Sequence, residues 1–175
     1  IQKLLFEKQD LAYREFSSKL MPTVPKETVI GVRTPILRNL AKELYGTEAG
    51  TAFLKELPHR YFEENSLHGF MLEQIKGFNE ALVRVEEFLP FVDNWSTCDS
   101  FPPKCFKQNP EKLHSKALEW LGSDKVYTVR YGIKILMNFF LEKNFKPEVL
   151  EQVASVTPTD YYVSMMIAWF FATAL

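Results

Sequence analysis

No segment of this 175-residue chain alternates apolar and polar residues for long enough to form a β-strand, which points away from a sheet-based fold. Helical spacing recurs instead, interrupted by prolines. Helix-pair starts fall near residues 34, 61, 94, 124 and 160, a period of about thirty residues. That rhythm predicts an all-α solenoid of antiparallel helix pairs with a concave binding face, each pair packing on its neighbours. The repeats share negligible identity, so the expectation rests on spacing, and a compact irregular helical bundle is the alternative. One domain over residues 1–175 is expected, with a cut-short last repeat and, since residue 1 is not Met, a trimmed start.

Residues 1–20 read as one helix with Leu4, Leu5, Leu11, Phe16 and Leu20 as apolar positions, ended by Pro22 and Pro25. Thr34 reads as a cap and Pro35 as the first helical residue of an element burying Leu37, Leu40, Ala41 and Leu44. Further helices are expected over 47–57, 61–76 and 79–91, then from an Asp93-Asn94 cap, and over 110–121. Others follow over 124–143, capped by Ser123 or Asp124, and over 147–154 and 161–175, with a helical turn at 103–108. The last helix carries no charge after Asp160 and is expected to be buried or covered by a further segment. It is too short for a membrane span.

Composition narrows the chemistry. A net charge of −1 argues against a uniformly basic nucleic-acid binder. Between Arg60 and Asn94 three basic residues face seven acidic ones, whereas Trp95–Lys146 holds nine basic and five acidic, so local basic surface is allowed. Seven glycines form no phosphate-binding loop or dinucleotide fingerprint. Cys98 and Cys105, about 10 Å apart on a continuous helix, are too distant for a disulfide, which points to a reducing, cytoplasmic setting. No N-terminal apolar stretch resembles a signal peptide. His59, His68 and His114 are far apart in sequence and lack metal-ligand spacing, so each reads as a surface or partly buried polar residue. The Glu63-Glu64 pair in a first helical turn reads as structural.

One stretch stands out, Val92-Asp93-Asn94-Trp95-Ser96-Thr97-Cys98-Asp99-Ser100-Phe101. Trp95 and Asp99 are four apart and share a helix face, an odd pairing of a bulky aromatic with a carboxylate. Arg130 falls in the middle of an apolar face made by Val126, Val129, Ile133, Leu136, Met137 and Phe140, where an arginine is seldom tolerated without an anionic partner. Tyr162, Met165, Met166 and Trp169 share a side of the last helix. The bland reading of the constellation is a buried Asp99–Arg130 ion pair between core tryptophans. A functional reading places both tryptophans around one hollow.

These segments resemble the AlkD-like DNA alkylation-repair glycosylases, all-helical proteins of HEAT-like repeats. The resemblance lies in Val92–Asp99, in Tyr127-Thr128-Val129-Arg130-Tyr131-Gly132-Ile133 and in Tyr161–Phe170. Gly31-Val32-Arg33-Thr34-Pro35-Ile36-Leu37-Arg38 resembles the family's early helix start, and the likeness covers about residues 10–175. It implies that Trp95 and Trp169 flank the lesion, that Asp99 is the catalytic carboxylate and that Arg130 lies near a phosphate. Tyr13 is the nearest candidate for the family's N-terminal tyrosine. Arg33 and Lys104 are expected to contact DNA as well, although Arg33, Arg38 and Lys42 otherwise read as a solvated face.

The residue types suit that chemistry. A purine alkylated at N3 or N7 is cationic and leaves without a general acid. A carboxylate stabilises the positive sugar left behind, indole faces attract cations, and arginine binds phosphate. The expected function is therefore hydrolysis of the N-glycosidic bond of cationic alkylpurines by a monomer acting on alkylated double-stranded DNA. No cofactor, metal or membrane is expected. The alternative is a non-catalytic helical-repeat scaffold for unusual DNA or a protein partner. A basic groove around Trp95 and Asp99 supports the enzyme, and a neutral or acidic one the scaffold.

Overall fold

Helix α5, Phe62–Leu72, is buried along its whole length, although five of its eleven residues are Glu63, Glu64, Asn65, Ser66 and His68. The fold therefore has to answer polar groups that it has taken out of water. The computed structural model describes residues 1–158 and 160–175. Among these every regular element is helical, with α1 Gln2–Phe6, α2 Leu11–Leu20, α3 Thr34–Leu44, α4 Glu48–Phe53, α5, α6 Phe78–Phe88 and α7 Trp95–Asp99. They continue with α8 Pro110–Leu121, α9 Val126–Phe140, α10 Glu148–Ala154 and α11 Tyr161–Ala174. The all-α expectation holds. No helix among the described residues is long and apolar enough to cross a membrane.

Contacts divide the chain into two compact units, Ile1–Lys104 and Cys105–Leu175. In the first, α3 packs on α5 and α5 on α7; in the second, α9 packs on α8 and α11. Helices thus pack on the next, as α8 on α9, and on the next but one, as stacked helical repeats do. The first core gathers Leu5, Ile30, Val32, Leu37, Phe53 and Leu67. In the second, residues 128–137 of α9 are all buried.

Glu63 answers for much of the first unit. Its carboxylate is fully buried and accepts from the backbone N–H groups of Ile30 at 2.8 Å, Gly31 at 2.6 Å and Val32 at 3.2 Å. Burial raises its carboxyl above the ordinary value while these N–H bonds pull it back. Gly31 has φ +96°, and a Cβ there would stand 2.6 Å from both Arg14 Cβ and the Asp10 carbonyl oxygen. Glu64 accepts from the Tyr61 N–H at 2.9 Å and closes the start of the helix.

Several expectations need correction. The single helix over 1–20 is two helices, because Asp10 caps α2 through the Tyr13 N–H at 2.9 Å and gives its own N–H to the Gly31 carbonyl. Leu11, Phe16 and Leu20, read as apolar positions of that helix, are exposed. Arg33, not Thr34, precedes α3, and Lys125, not Ser123 or Asp124, precedes α9; neither makes a side-chain cap bond. Helix α11 is not buried all round: Val163, Met166 and Phe170 face inward, but Tyr161, Met165 and Trp169 are exposed. His59 and His68 are not apart. Their rings meet at Nε2···Nδ1 2.8 Å, with His59 stacked on Phe53 and His68 on Phe88 at centroid distances of 4.3 and 4.2 Å.

Two predictions follow from these buried groups. Glu63→Gln keeps the shape but turns an amide N–H donor toward backbone donors. It should cost about 1–3 kcal/mol in urea unfolding, and an unchanged midpoint would contradict the role given to Glu63. Burial pushes His68 down to about 3, with the charges of His59 and Arg84 acting in the same direction. The unfolded chain therefore takes up this proton first, and stability should fall as pH drops from about 6.5 toward 3, by on the order of 1 kcal/mol per pH unit. His68→Gln leaves His59 a hydrogen-bond partner that does not titrate, so its stability should depend less on pH across that window. Equal slopes would rule His68 out as the cause.

Candidate functional site

The site begins with Asn94, which is fully buried and caps α7 by accepting the Thr97 N–H at 2.8 Å. Thr97 and Cys98 turn inward, which leaves Trp95 and Asp99 together on the other face of this five-residue helix, both half-buried. The Trp95 indole packs against the cluster of Met21, Val24, Val29 and Phe62 and donates Nε1–H to the Leu20 carbonyl at 3.2 Å. Its one polar group is thus satisfied without a ligand.

The Trp95 ring walls a hollow of about 170 Å³, whose other sides come from Tyr13, Phe16, Leu20, Phe62 and Phe70, with the hydroxyl residues Ser17, Thr34, Ser66, Ser96 and Ser100 between them. Among the described residues no charged side chain lines it. Cations lie at its margin. The Arg33 guanidinium sits 4.9 Å from the Tyr13 ring centroid and is held by Asp10 Oδ2 at 2.8 Å. The Tyr13 N–H, followed by Arg33, holds the Asp10 carboxyl below its ordinary value. Arg38 donates to the carbonyl of Ser100, one of the lining residues, at 3.2 Å. Asp99, one turn beyond Trp95, is not part of the wall. Lys104 belongs to a separate hollow with Arg38, Lys42 and Lys76.

The second unit carries the other expected residues. Arg130 is 4 % exposed on α9 and donates from Nη1 to the Tyr162 carbonyl of α11 at 2.6 Å. One turn along α9, Lys134 is also buried and places its ammonium 4.0 Å from the Trp169 ring centroid, while Trp169 itself is 45 % exposed. Arg130 and Trp169 therefore occupy the same pair of packed helices, with Lys134 bridging to the indole. Sequence reasoning passed over Lys134. The available signal was a lysine between Ile133 and Ile135, four residues after Arg130, in an otherwise apolar run.

Tyr13 and Trp95 thus share one hollow, Arg33 joins them at the rim, and Asp99 stands one turn away. The sequence profile of a family described as DNA alkylation repair enzyme matches residues 1–160. Trp95, Asp99 and Arg130 fall inside the matched segment and Trp169 beyond it. Comparisons with curated proteins and with solved structures returned no match. On the strength of a match over most of its length, this chain belongs to the DNA alkylation repair enzyme family.

Proposed function

We propose that the protein is a DNA glycosylase that hydrolyses the N-glycosidic bond of cationic N3- or N7-alkylated purines in duplex DNA. The observation that carries this reading is Trp95, fixed by its bond to Leu20 in the wall of an aromatic hollow, with the Asp99 carboxylate on the same helix face. Alkylation leaves the purine positively charged. The C1′–N bond breaks with its electron pair returning to the base, which departs neutral, and the positive charge passes to the deoxyribose. Asp99 stabilises that sugar and orients the water that adds to C1′ and releases its proton to solvent.

Each indole, Trp95 in the first unit and Trp169 in the second, offers a face of the kind that attracts a cationic base or a polarised sugar edge. Lys134 restricts how Trp169 can move, and Arg130, anchored on Tyr162, places positive charge near a backbone phosphate. Arg33 and Lys104 are assigned phosphate contacts, and Tyr13 lines the same hollow as Trp95. Ligand-enclosing pockets usually have roughly 300–1,000 Å³. The smaller hollow here favours a base held against the surface over one extruded into a cavity.

The uncharged wall of the hollow favours a second reading, a non-catalytic scaffold that binds DNA. One substitution separates the two. Asp99→Asn keeps the shape and removes the charge, so excision of N7-methylguanine should slow by on the order of a hundredfold or more while duplex binding and melting temperature stay close to wild type. If Asp99 were only a structural anion partner, the same change would strand a cation and lower stability by about 3–5 kcal/mol. A variant that melts far below wild type and still excises at the normal rate would remove Asp99 from the chemistry.

A further inference from the structure

The fold gathers four cations from three separate stretches of the first unit. Arg38 and Lys42 come from α3, Lys76 follows α5 and Lys104 follows α7, and together they line a hollow of about 250 Å³. Among the described residues Glu73 is the one carboxylate in that wall. Burial pushes its carboxyl up, while Arg38 and, more weakly, Lys104 pull it down. Its Oε2 accepts from Arg38 Nη1 at 2.7 Å.

Arg38 is fixed before any ligand arrives. Besides Glu73, its Nη2 donates to the Ser100 carbonyl at 3.2 Å and its guanidinium lies 4.1 Å from the Phe70 ring centroid. Stacking and two bonds set the plane and heading of the guanidinium, as recognition of a phosphate requires. Around it Lys42, Lys76 and Lys104 are exposed. Phe70 also lines the Trp95 hollow, so the two depressions adjoin.

We propose that this hollow is a cradle for a backbone phosphate of duplex DNA, with Arg38 as the fixed member and Lys42, Lys76 and Lys104 closing on the phosphate oxygens. The proposal rests on DNA being the substrate, as the family indicates, and not on glycosidic chemistry. It accounts for how a chain of net charge −1 holds a polyanion: the cations are concentrated rather than numerous. A phosphate bound here sets its strand beside the Trp95 hollow.

The test is titration of undamaged duplex DNA over a range of salt concentrations. Wild type is compared with Lys42→Gln/Lys104→Gln and with Lys3→Gln/Lys55→Gln, a control that removes the same charge from exposed positions outside the hollow. The cradle variant should lose about one to two units of the slope of log affinity against log salt, and about tenfold in low-salt affinity, while the control keeps the wild-type slope. Equal effects of the two variants, an unchanged slope in the cradle variant, or no duplex binding by wild type would overturn the proposal. So would binding of a poly-glutamate peptide that depends on Lys42 and Lys104 when duplex binding does not. Excision is not read, so a cradle variant that behaves like the control leaves the glycosylase reading standing, and failure of the Asp99 experiment leaves the cradle standing; only a wild type that does not bind duplex DNA removes both.

Discussion

A carboxylate taken fully out of water is costly unless hydrogen bonds replace its hydration, and Glu63 meets that requirement with three consecutive backbone N–H groups. Those bonds fix Ile30-Gly31-Val32 against α5, and the start of α2 is tied to that segment in turn. The Gly31 carbonyl receives the Asp10 N–H, and the Ile30 carbonyl receives Gln9 Nε2 at 2.8 Å. The start of α2 is therefore tied to the same short stretch. Tyr13, Phe16 and Leu20 on α2 then stand where they wall the Trp95 hollow. The hollow depends on a buried charge that does not line it.

The second unit solves a similar problem with opposite sign. Arg130 and Lys134 are both buried on α9, and both turn toward α11, one to the Tyr162 carbonyl and the other to the Trp169 indole. One face of the Trp169 ring is taken up by Lys134, while the residue as a whole stands half in solvent.

What the sequence disclosed was mainly local. Asn94 and Asp160 are caps of the kind their side chains suggest, because a short polar side chain reaches the N–H groups of the next turn without help from the rest of the fold. Asp10 is the same kind of residue, but the apolar spacing of Leu4, Leu5, Leu11 and Phe16 carried the eye past it. The pairing of His59 with His68 was hidden because it depends on the turn between them. The grip of Glu63 was hidden for a stronger reason: it joins groups more than thirty residues apart, and no periodicity encodes which loop meets a buried carboxylate. Trp95 and Asp99 were legible as a shared face; that Tyr13, Phe16 and Leu20 would wall a hollow with Trp95 was not, since it depends on where Asp10 starts α2.

The first unit offers an aromatic hollow, a carboxylate one turn from its Trp95 wall and a cluster of cations, and that hollow is small for a flipped base. Such a surface suits a substrate that already carries its own positive charge and needs little assistance to depart. The most direct measurement is release of the base itself. Duplex DNA containing N7-methylguanine is incubated with excess protein, and free base and abasic sites are counted over time. The account predicts equal numbers of both, appearing faster than in a protein-free control. Release at the control rate, with the protein bound to the duplex throughout, would contradict it.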